Sequence, residues 1–87
     1  MSNLSFSENA WKEYLYWQGQ DKKTLKKINE LLKELQRTPF SGKGKPEALK
    51  GERTGDWSRR INDKDRLVYQ IEGETIFIKQ CKGHYED

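Results

Sequence analysis

Apolar positions recur along this chain with two different periods, and the change falls near its middle. In residues 3–7, NLSFS, Leu4 and Phe6 alternate with polar neighbours, the two-residue period of a short strand. From Glu8 the spacing becomes helical. Ala10, Trp11, Tyr14, Leu15 and Gln18 recur at three- and four-residue steps, with Trp17 flanking the stripe. Ser7 stands at the N-cap, and Glu8 places a negative charge in the first turn, where the helix dipole favours it. Gly19 predicts the end of this helix, and Asp21 caps a second, KKTLKKINELLKELQR. There Leu25, Ile28, Leu32 and Leu35 form the stripe and Leu31 widens it, while lysines 22, 23, 26, 27 and 33 take the opposite face. Thr38-Pro39 stops the helix, because the residue before a proline is driven out of the helical region.

Residues 42–51, GKGKPEALKG, follow neither period. Their glycines and proline exclude a regular helix or a central strand, and they surround a lone carboxylate, Glu47, with three lysines. A solvated surface turn is the ordinary reading of such a loop. After it the two-residue period returns in WSRRI (57–61), RLVYQI (66–71) and TIFIKQC (75–81), with NDKD and EGE as hairpin turns. The expected fold is α+β, in the order β-α-α-β-β-β. Two N-terminal helices pack on one face of a small, mainly antiparallel sheet, and the N-terminal strand joins one edge. Alternation sets Leu67, Tyr69 and Ile71 on one side of their strand, with Arg66, Val68 and Gln70 on the other. Trp57, Arg59 and Ile61 likewise alternate with Ser58 and Arg60. If Trp57 and Ile61 face the helices, Arg60 and Arg66 face the open side.

Composition adjusts this picture. The 87 residues make one domain, 1–87, ending in a short tail, 82–87, expected to be flexible. A hydrophobic fraction of 32% against 36% charged is close to a disordered composition, but 11% aromatics argue for a folded, thin core rich in rings. The net charge is +3, and it is unevenly spread: residues 42–71 hold eight Lys/Arg against five Asp/Glu, and residues 72–87 two against four. A polyanionic partner or a solvated cationic surface accounts equally well for that excess. Cys81 is the single cysteine and His84 the single histidine, so neither an internal disulfide nor a metal site is expected, and no cofactor is implied. Cys81 reads as a reduced, half-buried thiol. No apolar run reaches the length of a membrane span and no signal peptide opens the chain, so a cytoplasmic protein without membrane contact is expected.

Candidate chemistry follows from what is left over. Cleaving RNA without a metal requires a base for the 2′-OH, cations for the charge growing on the phosphate, and an acid for the departing 5′-oxygen. Glu47 as base, Arg60 and Arg66 as phosphate clamps with Lys50 beside them, and His84 as acid make up such a set. A solvated histidine near a chain end remains the plainer reading of His84 from the residues alone.

RTPFSGKGKPEALK, WSRRI, RLVY and the terminal HY together resemble the YoeB family of bacterial toxins, within the wider RelE/ParE superfamily, from about residue 4 to Tyr85. The resemblance implies a ribosome-dependent endoribonuclease that cuts messenger RNA in the ribosomal A site and is held inactive by a YefM-like antitoxin. It implies catalytic parts for Glu47, Arg60, Arg66, His84 and Tyr85, and substrate contacts for Lys45, Lys50 and, adjacent to them, Arg59. A homodimer is a further expectation, and operator DNA is met only through the antitoxin. A ParE-like toxin without nuclease chemistry and a basic nucleic-acid-binding module of the same fold are the alternatives. The chain departs from the family in Lys82-Gly83, where a bulkier pair is expected, and in Glu86-Asp87 beyond the HY. Gly83 is expected to loosen the tail.

Overall fold

The switch of period marks the boundary between helices and sheet. The computed structural model describes residues 3–84. Strand β1 (Asn3–Phe6) leads into helices α1 (Glu8–Gln20) and α2 (Lys22–Arg37); β2 (Glu47–Ala48), β3 (Asp56–Arg60), β4 (Arg66–Glu72) and β5 (Thr75–Gln80) follow, with a 3-10 turn at Gly51–Arg53. The Ser7 hydroxyl accepts from Ala10 N at 3.0 Å, as an N-cap does. A single residue, Asp21, separates the helices. Its amide closes α1 on Trp17 O at 3.0 Å, while its carboxylate accepts from the amides of Lys23 and Thr24, both at 3.1 Å, and from the Thr24 hydroxyl at 2.8 Å.

The five strands form one mixed sheet in the order β1-β5-β4-β3-β2. β1 runs parallel to β5 at one edge, and every other pairing is antiparallel. β2, which no alternation announces, is a two-residue edge strand, the one place in a sheet where so glycine-rich a segment can pair.

Both helices cover one face of this sheet. Ile28, Leu31, Leu32 and Leu35 of α2 meet Leu67, Tyr69, Ile76 and Ile78 from the strands, with Ile61 and Cys81 closing the ends. The α1 stripe is rotated from the expected one. Trp11 and Leu15 are exposed, and Ala10 and Trp17 are the buried positions. Two polar contacts fix that rotation: Trp17 Nε1 donates to Cys81 O at 2.9 Å, and Glu13 Oε1 accepts from Cys81 N at 2.8 Å. Rings surround this helix on almost every side, so the partner groups at the end of β5 select the buried face. Cys81 is correspondingly buried outright rather than by half.

Candidate active site

The loop that carries Glu47 is held from beneath. Arg59, on the helix-facing side of β3, is fully buried and spends its guanidinium on the loop's own carbonyls. Nη1 donates to Lys43 O at 3.1 Å, and Nη2 to Ser41 O at 2.9 Å and to Thr38 O. Its Nε donates to the Tyr69 hydroxyl at 3.1 Å, and that hydroxyl donates in turn to Pro39 O at 2.7 Å. Four main-chain carbonyls of the loop thereby receive donors from two side chains, as buried polar groups require. Burial pushes the Tyr69 hydroxyl above its usual pKa against the opposing pull of the Arg59 charge, so it stays protonated and keeps donating. Arg59 thus lies under the loop rather than on the open face. The expectation of a substrate contact is corrected to that of a strut, because strand alternation assigns it the same side as Trp57 and Ile61.

Gly44 is the second fastening. Its carbonyl accepts from Arg60 N at 2.6 Å, and with φ at +83° an added Cβ would meet Leu31 Cδ2 at 3.0 Å and Arg59 Cβ at 3.1 Å. Only glycine fits that approach. The following Lys45 also takes a left-handed backbone, with φ at 51°, uncommon for a side-chain-bearing residue and a mark of a sharply directed turn. Lys45 and Lys50, both exposed, flank Glu47 in sequence.

On the open face the register brings the charged residues together. Glu47 pairs with Ser58, and Arg60 stands directly opposite Arg66. Glu47 and Arg60 are therefore diagonal neighbours, roughly 7–8 Å apart or somewhat less between Cβ atoms, a span that long side chains bridge. Two arginines at a directly opposed position repel each other. Among the described residues no carboxylate forms an ion pair with either, and Arg60 is exposed. Arg66 is aimed by the hairpin turn: its Nη1 donates to Asn62 O at 2.6 Å and to Asp65 O at 3.1 Å. Among the described residues the remaining guanidinium donors of both have no partner, which suits them to an anion.

The chain's end returns to the same place. Gly83 O accepts from Arg66 N at 3.0 Å, and Gly83 N donates to Asp65 Oδ1 at 2.7 Å. Gln80 Nε2 donates to Gly83 O at 2.9 Å and to His84 O at 3.0 Å, while the Lys82 ammonium lies 4.8 Å from the Tyr16 ring centre. Gly83, expected to loosen the tail, is pinned through both its amide and its carbonyl, and its φ of +82° makes the turn. His84 is exposed, one residue beyond the group bonded to Arg66. Tyr85, Glu86 and Asp87 lie outside the described residues.

One end of the open sheet face therefore holds an acid and two arginines with no ion pair among the described residues, and the chain returns there one residue before His84. Residues 6–85 match the family described as YoeB-like toxin of bacterial type II toxin-antitoxin system. The chain belongs to that family. Among YoeB-like toxins it is 54% identical to Toxin YoeB of Escherichia coli K12 over 82 residues, covering 94% of this chain and 98% of that one. The YoeB dimer of Staphylococcus aureus superposes with a TM-score of 0.90 at 50% identity, over 97% of this chain and 98% of that one. The heterotetrameric YoeB-YefM toxin-antitoxin complex from the same organism gives 0.89 at 50% identity, over 98% and 99%. The RelE-like α+β architecture read from the sequence is thus the fold. Among the described residues of this YoeB-like chain, no helix is long and apolar enough to cross a membrane. Nor do those residues contain a group of three or more His, Cys, Asp and Glu placed to hold a metal ion.

Sequence reasoning missed Tyr69, Asp65 and Gln80, the residues that fasten the loop and the tail. The signal for Tyr69 was its alternation onto the Arg59 side. For Asp65 and Gln80 there was none, since their partners are main-chain groups of the tail.

Proposed function

We propose that this chain is the toxin of a bacterial type II toxin-antitoxin pair and acts as a ribosome-dependent endoribonuclease, cutting messenger RNA in the ribosomal A site without a metal. The observation that supports the reading is the register: Glu47, Arg60 and Arg66 share one face, and the hydrogen bond from Arg66 N to Gly83 O brings the chain back to β4 one residue before His84.

Glu47 takes the proton of a 2′-OH, and that oxygen attacks the adjacent phosphorus. Arg60 and Arg66 meet the charge that accumulates on the phosphate oxygens. The bond from phosphorus to the 5′-oxygen breaks, and His84, as imidazolium, gives that oxygen its proton. The products are a cyclic 2′,3′-phosphate and a free 5′-hydroxyl. Lys45 and Lys50 hold flanking phosphates, and Tyr85, outside the described residues, is given a catalytic part on the family resemblance alone. So small a face supplies chemistry but little grip on the strand. The ribosome supplies the orientation, which alone accounts for a large share of a rate enhancement.

A YefM-like antitoxin is the expected partner, supported by the Staphylococcus aureus assembly, and the dimer from that organism supports self-association. The cytoplasm, where messages are translated, is the place of action. Glu47→Gln tests the reading: on translating ribosomes, primer extension should show cutting reduced by about 10²–10⁴-fold. Undiminished cutting by that variant removes Glu47 from the mechanism.

A further inference from the structure

The open face does not end at the arginines. Farther along it, one cross-strand row runs Asp56, Gln70, Phe77, Ser5 from β3 to β1. Phe77 is a large apolar side chain left 36% exposed, and the other exposed large apolar residues described lie on α1 or in the 38–46 loop. Above it opens a cleft of about 320 Å³ whose lining includes Ser5, Gln70, Glu72 and Lys79. Among the described residues nothing hydrogen-bonds the Gln70 side-chain amide. Lys79 reaches across β4 to Asp56 Oδ1 at 2.9 Å, so its ammonium is already paired, and Glu72 adds a carboxylate to the lining.

That charge pattern is the opposite of the one beside Glu47. A phosphate would meet no unpaired cation here and one repelling carboxylate. A neutral, planar group with donors and acceptors on its edge suits the cleft: the ring face of Phe77 offers stacking, and the Gln70 amide offers one donor group and one acceptor. Gln70 and Arg66 lie on the same side of β4, four residues apart, roughly 13 Å at ~3.3 Å per residue. A strand clamped by Arg60 and Arg66 can thus lay a flanking base, not the attacked nucleotide, over Phe77.

We propose that this cleft is a nucleobase subsite, in which Phe77 stacks on a base flanking the scissile phosphate and Gln70 hydrogen-bonds to that base's edge. The proposal rests on the reading of the face as a ribonuclease site.

Primer extension on translating ribosomes, run with the wild-type chain, Phe77→Leu, Phe77→Trp, Gln70→Ala and Glu47→Gln, tests it. Phe77→Leu keeps an apolar strand residue but removes the ring, and should lower kcat/KM by about tenfold or more, as loss of one stacked base does. Phe77→Trp should retain or raise it. Gln70→Ala should lower cutting most at the sites the wild type favours, so that the pattern of cuts depends less on the flanking base. Equal cutting at the same positions by wild type and Phe77→Leu overturns the subsite and leaves the ribonuclease reading standing. So does loss of antitoxin binding by Phe77→Leu with cutting unchanged, which would make the cleft a protein contact. A wild-type chain that never cuts, with Glu47→Gln indistinguishable from it, overturns both.

Discussion

A buried arginine is an expensive way to hold a loop, and Arg59 shows what is gained by it. Three main-chain carbonyls between Thr38 and Lys43 converge on a single guanidinium, the Thr38 one shared with the Ser41 amide, while its Nε binds Tyr69. An ammonium cannot span that geometry, because its three donors diverge from one atom on a flexible stem. Arg59→Ala should therefore destabilise the fold by about 3 kcal/mol, the scale of losing charge-assisted bonds and leaving buried acceptors bare. Arg59→Lys should recover only a part of it. Urea unfolding of the purified variants is the measurement. Wild-type stability combined with lost cutting would return Arg59 to the substrate contacts. Arg60, the next residue, points the other way and has no ion pair among the described residues, so Arg60→Ala in the same series should leave the unfolding midpoint within error.

At the scale of the element, Asp21 serves two helices with one residue. Its carboxyl is held below the usual carboxylate range, first by the Thr24 hydroxyl and then by the Thr24 amide; desolvation opposes them, and the Lys23 amide and charge add lesser pulls downward. A group whose folded pKa is depressed stabilises above its unfolded value, near 4, and that contribution fades as pH falls through the folded value. Asp21→Ala should thus lower the melting temperature by several degrees at neutral pH. The difference from wild type should narrow below about pH 4, measured by circular dichroism melts across a pH series. A gap that stays constant down to pH 2 would mean that the carboxylate's charge contributes nothing. Both caps were legible in the sequence, as were β3, β4 and β5 and the sidedness of Arg60 and Arg66, because those features rest on contacts within a few residues or on strict alternation. The buried side of α1 was not legible, since Trp11, Tyr14, Leu15, Tyr16 and Trp17 leave no single apolar stripe and Cys81, far along the chain, makes the choice. Nor was β2 legible: Glu47 and Ala48 are both exposed and acquire a strand only from their pairing with Ser58 and Trp57.

Across the whole molecule, these fastenings link the first helix to the last residues described. α1 grips Cys81 from both sides, through Trp17 on its carbonyl and Glu13 on its amide, and Lys82 rests over Tyr16 of the same helix. The histidine proposed as the acid lies three residues past Cys81, so its position depends on a helix at the opposite face of the sheet. Cys81 itself reports on that grip. Burial first, then the Glu13 and Asp65 carboxylates, push its thiol up to about 12. At pH 8 only about one molecule in 10⁴ then carries a native thiolate, so alkylation proceeds almost wholly through opened states, where the thiol regains an ordinary pKa near 8.5. Trp17→Phe keeps an aromatic ring in the core but removes the indole N–H from Cys81 O, which costs about 1 kcal/mol, to which the lost volume adds. Iodoacetamide labelling of Cys81 at pH 8 should therefore accelerate about fivefold or more in Trp17→Phe if that bond is made throughout the native state. Cutting on ribosomes should fall as well, although Trp17 lies on the far side of the sheet from Glu47. Faster labelling with unchanged cutting would show that the tail beyond Cys81 is set by Gly83 and Gln80 alone. Unchanged labelling would mean that the helix and the chain's end open independently, and that α1 does not govern where His84 sits.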